Sequence, residues 1–160
     1  MTRRTTADGP AAVPAGRQVE IFIDGASSGN PGPAGIGAVF LDGKGVPVAR
    51  LSKYVGETTN NVAEYLALLY ALQEAQQRGW RQVSVKTDSE LLARQLSGEY
   101  KVRDPLLRLF HELAHHLMQA FERCAVEHVG RSRNAEADRL AGNAVKQFRR
   151  RTVLWNRRAA

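Results

Sequence analysis

The sequence predicts an α/β domain: a five-stranded mixed sheet, in the element order β-β-β-α-β-α-α-β-α, with helices on both faces. Three observations carry that expectation. Three β-branched, alternating runs lie near the start, divided by turn clusters. At Asn61 the hydrophobic period changes from that of a strand to that of a helix. Short strands then alternate with helices to the end.

The elements follow in order. V-E-I-F-I-D (19–24) leads into the turn cluster G-A-S-S-G-N-P-G-P. A-G-I-G-A-V-F-L and V-P-V-A-R-L-S-K-Y-V are joined by D-G-K-G, a hairpin signal. Val62, Leu66, Leu69 and Leu72 recur at helical spacing until Gly79 stops the helix. V-S-V-K-T (83–87) reads as a strand and S-E-L-L-A-R-Q-L as a short helix stopped by Gly98. A longer helix spans about Pro105 to Phe121, C-A-V-E-H-V is a strand, and Asn134 is expected to cap a last helix opening A-E-A-D. Gly35 and Gly37 form a G-x-G without the third glycine, or the following helix, of a dinucleotide loop, which excludes that reading.

A chain of 160 residues is expected to hold one folded domain, here 18–146, with a disordered arm at 1–17 and a basic tail at 147–160. The lone Cys124 permits no internal disulfide, and there is no apolar run of membrane-spanning length. A cytoplasmic monomer without membrane attachment is the expectation. The net charge of +7 is unevenly placed. Residues 146–160 hold Lys146, Arg149, Arg150, Arg151, Arg157 and Arg158 with no acid, whereas 18–145 nets −1. A basic end on a near-neutral body suggests a polyanionic partner such as nucleic acid.

Four acids stand at element ends: Asp24, Glu64, Asp88 and Asp138. Each has an ordinary explanation except the first. Glu64 lies three residues after Asn61, where a capping box places it; Asp88 suits a helix cap; Asp138 complements a helix dipole. Asp24 closes a run of core residues, where an unpaired charge is costly. If the first and fourth strands are parallel neighbours, Asp24 and Asp88 emerge side by side, at the edge where open α/β sheets hold ligands. Four such acids cannot all stay ionised without a cation, and all-oxygen ligation selects Mg²⁺ or Mn²⁺.

The stretches F-I-D-G-A-S-S-G-N-P-G-P-A-G, T-N-N-V-A-E-Y-L-A, K-T-D-S-E-L and H-V-G-R-S-R-N-A-E-A-D-R-L-A together resemble type 1 ribonuclease H, over about residues 19–146. The resemblance implies the ribonuclease H-like fold and hydrolysis of the RNA strand of an RNA–DNA hybrid, leaving 5′-phosphate and 3′-hydroxyl ends. It implies two metal ions held by Asp24, Glu64, Asp88 and Asp138, with His128 as a mobile proton carrier. It places RNA 2′-hydroxyl contacts at Gly25, Ala26, Glu64 and Ser89, and a phosphate seat for the DNA strand at Asn30, Thr59, Asn60 and Asn61. Asn134, in the last motif, joins the substrate-binding set. A non-catalytic hybrid-binding module on the same fold is the alternative; loss of an acid is its usual mark, and all four are present. The chain departs from familiar members in having only S-G-E-Y-K-V-R-D where a basic protrusion is inserted, and no N-terminal hybrid-binding domain is expected in its opening residues.

H-E-L-A-H-H (111–116) matches the zinc protease pattern H-E-x-x-H. Leu106, Phe110, Leu113, Leu117 and Phe121 are expected to form the buried stripe of that helix, turning His111 and His115 to solvent, with no zinc bound.

Overall fold

The computed structural model describes residues 17–159, with side chains to 150, so the expected arm lies outside the described residues except for Arg17. Five strands, β1 (Gln18–Ser27), β2 (Gly32–Leu41), β3 (Pro47–Thr58), β4 (Gln82–Thr87) and β5 (Arg123–His128), form one sheet in the order β3-β2-β1-β4-β5. Four helices accompany them: α1 (Asn60–Gln77), α2 (Glu90–Leu96), α3 (Pro105–Met118) and α4 (Ala135–Ala159). The expected element order and mixed sheet are observed. β1 pairs antiparallel with β2 and parallel with β4, and β4 is parallel to β5.

β1 is the middle strand, and Val19, Ile21 and Ile23 alternate into the core beneath α1. There they meet Ile36, Phe40, Leu68, Leu72 and Val85. α1 packs on β1 and β2 and is covered by α3, while α4 crosses the opposite face over β2 and its neighbours. Gly37 explains that crossing: a Cβ there would stand 2.2 Å from the Ala137 carbonyl oxygen, so only glycine lets α4 lie directly on the strand. The G-x-G set aside as a nucleotide loop is a seat for a helix.

Three local expectations need correction. β1 continues to Ser27, so Asp24 lies inside the strand; it is the pairing with β4 that stops, at Ile23 opposite Thr87. Of the expected stripe Phe110, Leu117 and Phe121 do pack against the core, but Leu106 and Leu113 are 46% and 43% exposed, and Leu107 and Ala114 are buried instead. α3 packs on α1, and the face it turns to the core holds the wholly buried Ala114. His111 turns inward: its Nε2 lies 3.0 Å from the Gln95 carbonyl and 3.3 Å from His115 Nε2. Finally, α4 runs unbroken past residue 147, so the expected tail continues the helix.

Candidate active site

Asp24 and Asp88 do emerge side by side, because β1 and β4 are parallel and their register ends one residue before each acid. Thr87, wholly buried, fixes the second: its Oγ1 accepts the Ser89 N–H at 3.1 Å and shapes the loop holding Asp88. The sequence reading gave Thr87 no role, although a threonine before D-S is the signal for such a turn. The cap of α2 is Ser89, whose Oγ accepts from Leu92 N–H, so Asp88 is released from the capping role considered for it.

Glu64 reaches the site from the second turn of α1. The cap of that helix is Thr59, whose Oγ1 accepts the Val62 N–H at 3.3 Å. Asn61 is therefore no cap, and Glu64 no capping-box partner. It is buried because α1 begins hard against β1: a Cβ on Gly25 would stand 2.3 Å from the Ala63 carbonyl carbon. Asp138 occupies the first turn of α4 and is exposed; its nearness helps to raise the Asp24 carboxyl, but among the described residues the acids whose oxygens converge are Asp24, Glu64 and Asp88, without it.

Asn134, just before α4, does not cap it with its side chain. Its Nδ2 donates to the Ile23 carbonyl at 2.8 Å, tying the start of α4 to the strand that carries Asp24. The residue is 1% exposed, and its Oδ1 has no partner.

Oxygens of Asp24, Glu64 and Asp88 lie within 4.8 Å of one another. Asp24 is 4% exposed and Glu64 5%. Burial, then the charge of Glu64, then the nearness of Asp138 push the Asp24 carboxyl well above the carboxylate range. Burial, then the charge of Asp88, push Glu64 up, although Asp24 and the Gly25 N–H bond to it. Glu64 Oε2 is buried without any hydrogen-bond partner. Buried, mutually repelling carboxylates with an orphaned oxygen form a set of hard donors that fits a divalent cation.

The remaining expected residues ring this centre. Asn30 Oδ1 accepts the Asn60 N–H at 3.0 Å, which joins the β1–β2 loop to the start of α1. Asn30, Asn60 and Asn61 are exposed and Thr59 half-buried. Gly25 and Ala26 follow Asp24 on β1, and His128 ends β5, exposed, opposite Thr87.

With this geometry in hand, known proteins can be set beside it. The reverse transcriptase-like family model matches residues 22–144. The chain is 41% identical over 130 residues to ribonuclease HI of Halobacterium salinarum, covering 81% of this chain and 65% of that one. The solved structure of that archaeal RNase H1 matches with a TM-score of 0.80, covering 81% of this chain and 98% of the solved one. The chain belongs to the ribonuclease H family. A second ribonuclease H1, LC11, solved in complex with an RNA/DNA hybrid, matches with a TM-score of 0.78 at 41% identity, covering 81% of this chain and 98% of that one. The chain also aligns at 43% identity with the bifunctional protein Rv2228c of Mycobacterium tuberculosis, over 80% of this chain and 35% of that one. It thus spans under two thirds of the length of these two curated relatives.

Proposed function

We propose that this ribonuclease H family member is a metal-dependent endonuclease that hydrolyses the RNA strand of RNA–DNA hybrids, leaving 5′-phosphate and 3′-hydroxyl ends. The observation that carries the proposal is the convergence of buried Asp24 and Glu64 with half-buried Asp88. Three crowded acids with an unpaired oxygen are costly to keep in a fold unless a cation is held there. Asp24, Glu64, Asp88 and Asp138 would hold two Mg²⁺ ions, or Mn²⁺. When bound, these ions supply an activated water nucleophile and charge stabilisation for the departing 3′ oxygen.

The chain's own residues orient the substrate around them. Gly25 and Ala26 lie on the strand beside Glu64, where the backbone and that carboxylate can meet RNA 2′-hydroxyls across a shallow minor groove. Ser89 stands next to Asp88 on the same edge. The exposed amides of Asn30, Asn60 and Asn61, with the N-terminal turn of α1, form a seat for a phosphate of the DNA strand. His128, exposed at the end of β5, would carry a proton to or from the leaving group. Asn134 acts by positioning α4 on β1.

Among the described residues no helix is long and apolar enough to cross a membrane. A monomer working in the cytoplasm is part of the proposal.

The test is incubation of the full chain with end-labelled RNA–DNA hybrid, with and without Mg²⁺ or Mn²⁺, beside the Asp88→Asn variant. Cleavage of the RNA strand that requires metal and vanishes in the variant is the expected result. Metal-independent binding without cleavage would establish the hybrid-binding module instead.

A further inference from the structure

We infer that the duplex-binding surface of this chain continues along α4 to Arg149, which takes a backbone phosphate roughly five base pairs from the cleaved bond, on one side only. The inference rests on the hybrid reading above and adds a contact outside the residues that reading uses. Electrostatics requires some such contact. Residues 18–145 net −1 and carry the four site acids, whereas a duplex presents one negative charge per ~1.7 Å of axis. The densest run of cations unopposed by acids is the stretch that begins at Lys146.

The fold brings that stretch to the right edge. α4 starts at the site, where Asn134 ties it to Ile23 beside Asp24, and then lies across β2. It delivers Arg149 Nη2 to 2.9 Å from Ser28 Oγ, in the loop that also carries Asn30. Asn30 is bonded in turn to the Asn60 N–H, so Arg149 extends the proposed phosphate seat. The supporting turn of the helix is held in place: Phe148 stacks on Tyr54 at 3.8 Å with the rings 5° from parallel. Ser52 Oγ donates to the Leu140 carbonyl at 2.7 Å, a second tie from β3 to the same helix. A hydroxyl partner leaves the guanidinium charge uncompensated, and among the described residues no ion pair involves Lys146, Arg149 or Arg150. An exposed, positioned and unneutralised arginine is suited to the planar recognition of phosphate.

The helix also sets the distance. From Asp138 to Arg149 the rise at ~1.5 Å per residue is about 16 Å. At ~3.4 Å per base pair this amounts to roughly five pairs.

The experiment uses the full chain and hybrids whose single cleavage site is flanked by long arms, or by an arm cut to three pairs on either side. For Arg149→Ala on the long hybrid, KM should rise roughly 3- to 10-fold at constant kcat. The slope of log(kcat/KM) against log salt should lose about one contact, and Arg149→Lys should restore most of both. Shortening one particular arm should erase the difference between wild type and Arg149→Ala; shortening the other should not. Unchanged KM and salt slope in Arg149→Ala would overturn the inference. So would a loss of kcat and thermal stability with the salt slope intact, since that marks a structural anchor. Wild-type chain that leaves every hybrid uncut would instead sink the nuclease reading itself, a result not confusable with the other two.

Discussion

Replacing Asp24 by asparagine should make the metal-free protein more stable while destroying its activity. Oxygens of Asp24, Glu64 and Asp88 lie within 4.8 Å of one another. Two unit charges at that separation repel by about 1 kcal/mol in bulk water and about 3.5 kcal/mol at an effective dielectric near 20. Asp24 and Glu64 are buried and sit toward the upper value; Asp88 is half-buried and sits toward the lower. Protonation of the native state already relieves part of this repulsion, which leaves a gain of about 1–3 kcal/mol for the variant at pH 8 in EDTA, or roughly 3–9 °C in melting temperature. The sign follows from linkage. The carboxyls of Asp24 and Glu64 are raised in the folded state, so the native protein binds more protons than the unfolded chain. Stability is therefore full below the ordinary carboxylate range and is lost as pH rises through the raised values, by about 1.4 kcal/mol per pH unit for each extra proton. The variant's advantage should shrink below about 0.5 kcal/mol at pH 4, where the wild type keeps its proton. Mg²⁺ should stabilise the wild type more than the variant. Calorimetry at both pH values, with and without Mg²⁺, measures all of this, and hybrid cleavage and binding are assayed alongside. A variant less stable than wild type at pH 8, or an advantage independent of pH, would refute the crowded-carboxylate reasoning.

Asn134→Ala should cost about 1–3 kcal/mol, read by thermal or urea unfolding, because it strips the Ile23 carbonyl of a buried donor at 2.8 Å. A neutral substitution would show that α4 is held without it. Deleting residues 147–160 should weaken hybrid binding and lower the salt slope by roughly two to five contacts at about 0.9 each. It also removes Phe148 from Tyr54, so some loss of melting temperature accompanies it, and an unchanged slope would make the segment structural only. His111→Ala with His115→Ala should leave nuclease activity nearly unchanged and cost about 0.5–1.5 kcal/mol for the lost Gln95 contact. The purified wild type is expected to hold no zinc; stoichiometric zinc, lost in the double variant together with a peptidase activity, would reverse that view.

What the sequence determined by itself was the set of elements and the identity of the acids. Alternation, helical period and turn residues are short-range properties, and they marked the strands and helices to within a few residues, except for the far end of α4, which runs on through the expected tail. Four motifs in order also pointed to Asp24, Glu64, Asp88 and Asp138, of which the structure gathers the first three. The tertiary structure decided where polar side chains point. Thr59 and Ser89 cap their helices, and so free Glu64 and Asp88 for the site, only because the helix starts dock against β1 and β4. Asn134 looked like a cap from its neighbours, yet it bonds to Ile23, 111 positions away, a partner no local pattern contains. Gly37 looked like a broken nucleotide loop and proved to be the close approach of α4. His111 turned inward to the Gln95 carbonyl, although the leucines of its helix suggested another face. In each case the deciding energy is a contact between segments distant in sequence, and such contacts exist only once the sheet has formed.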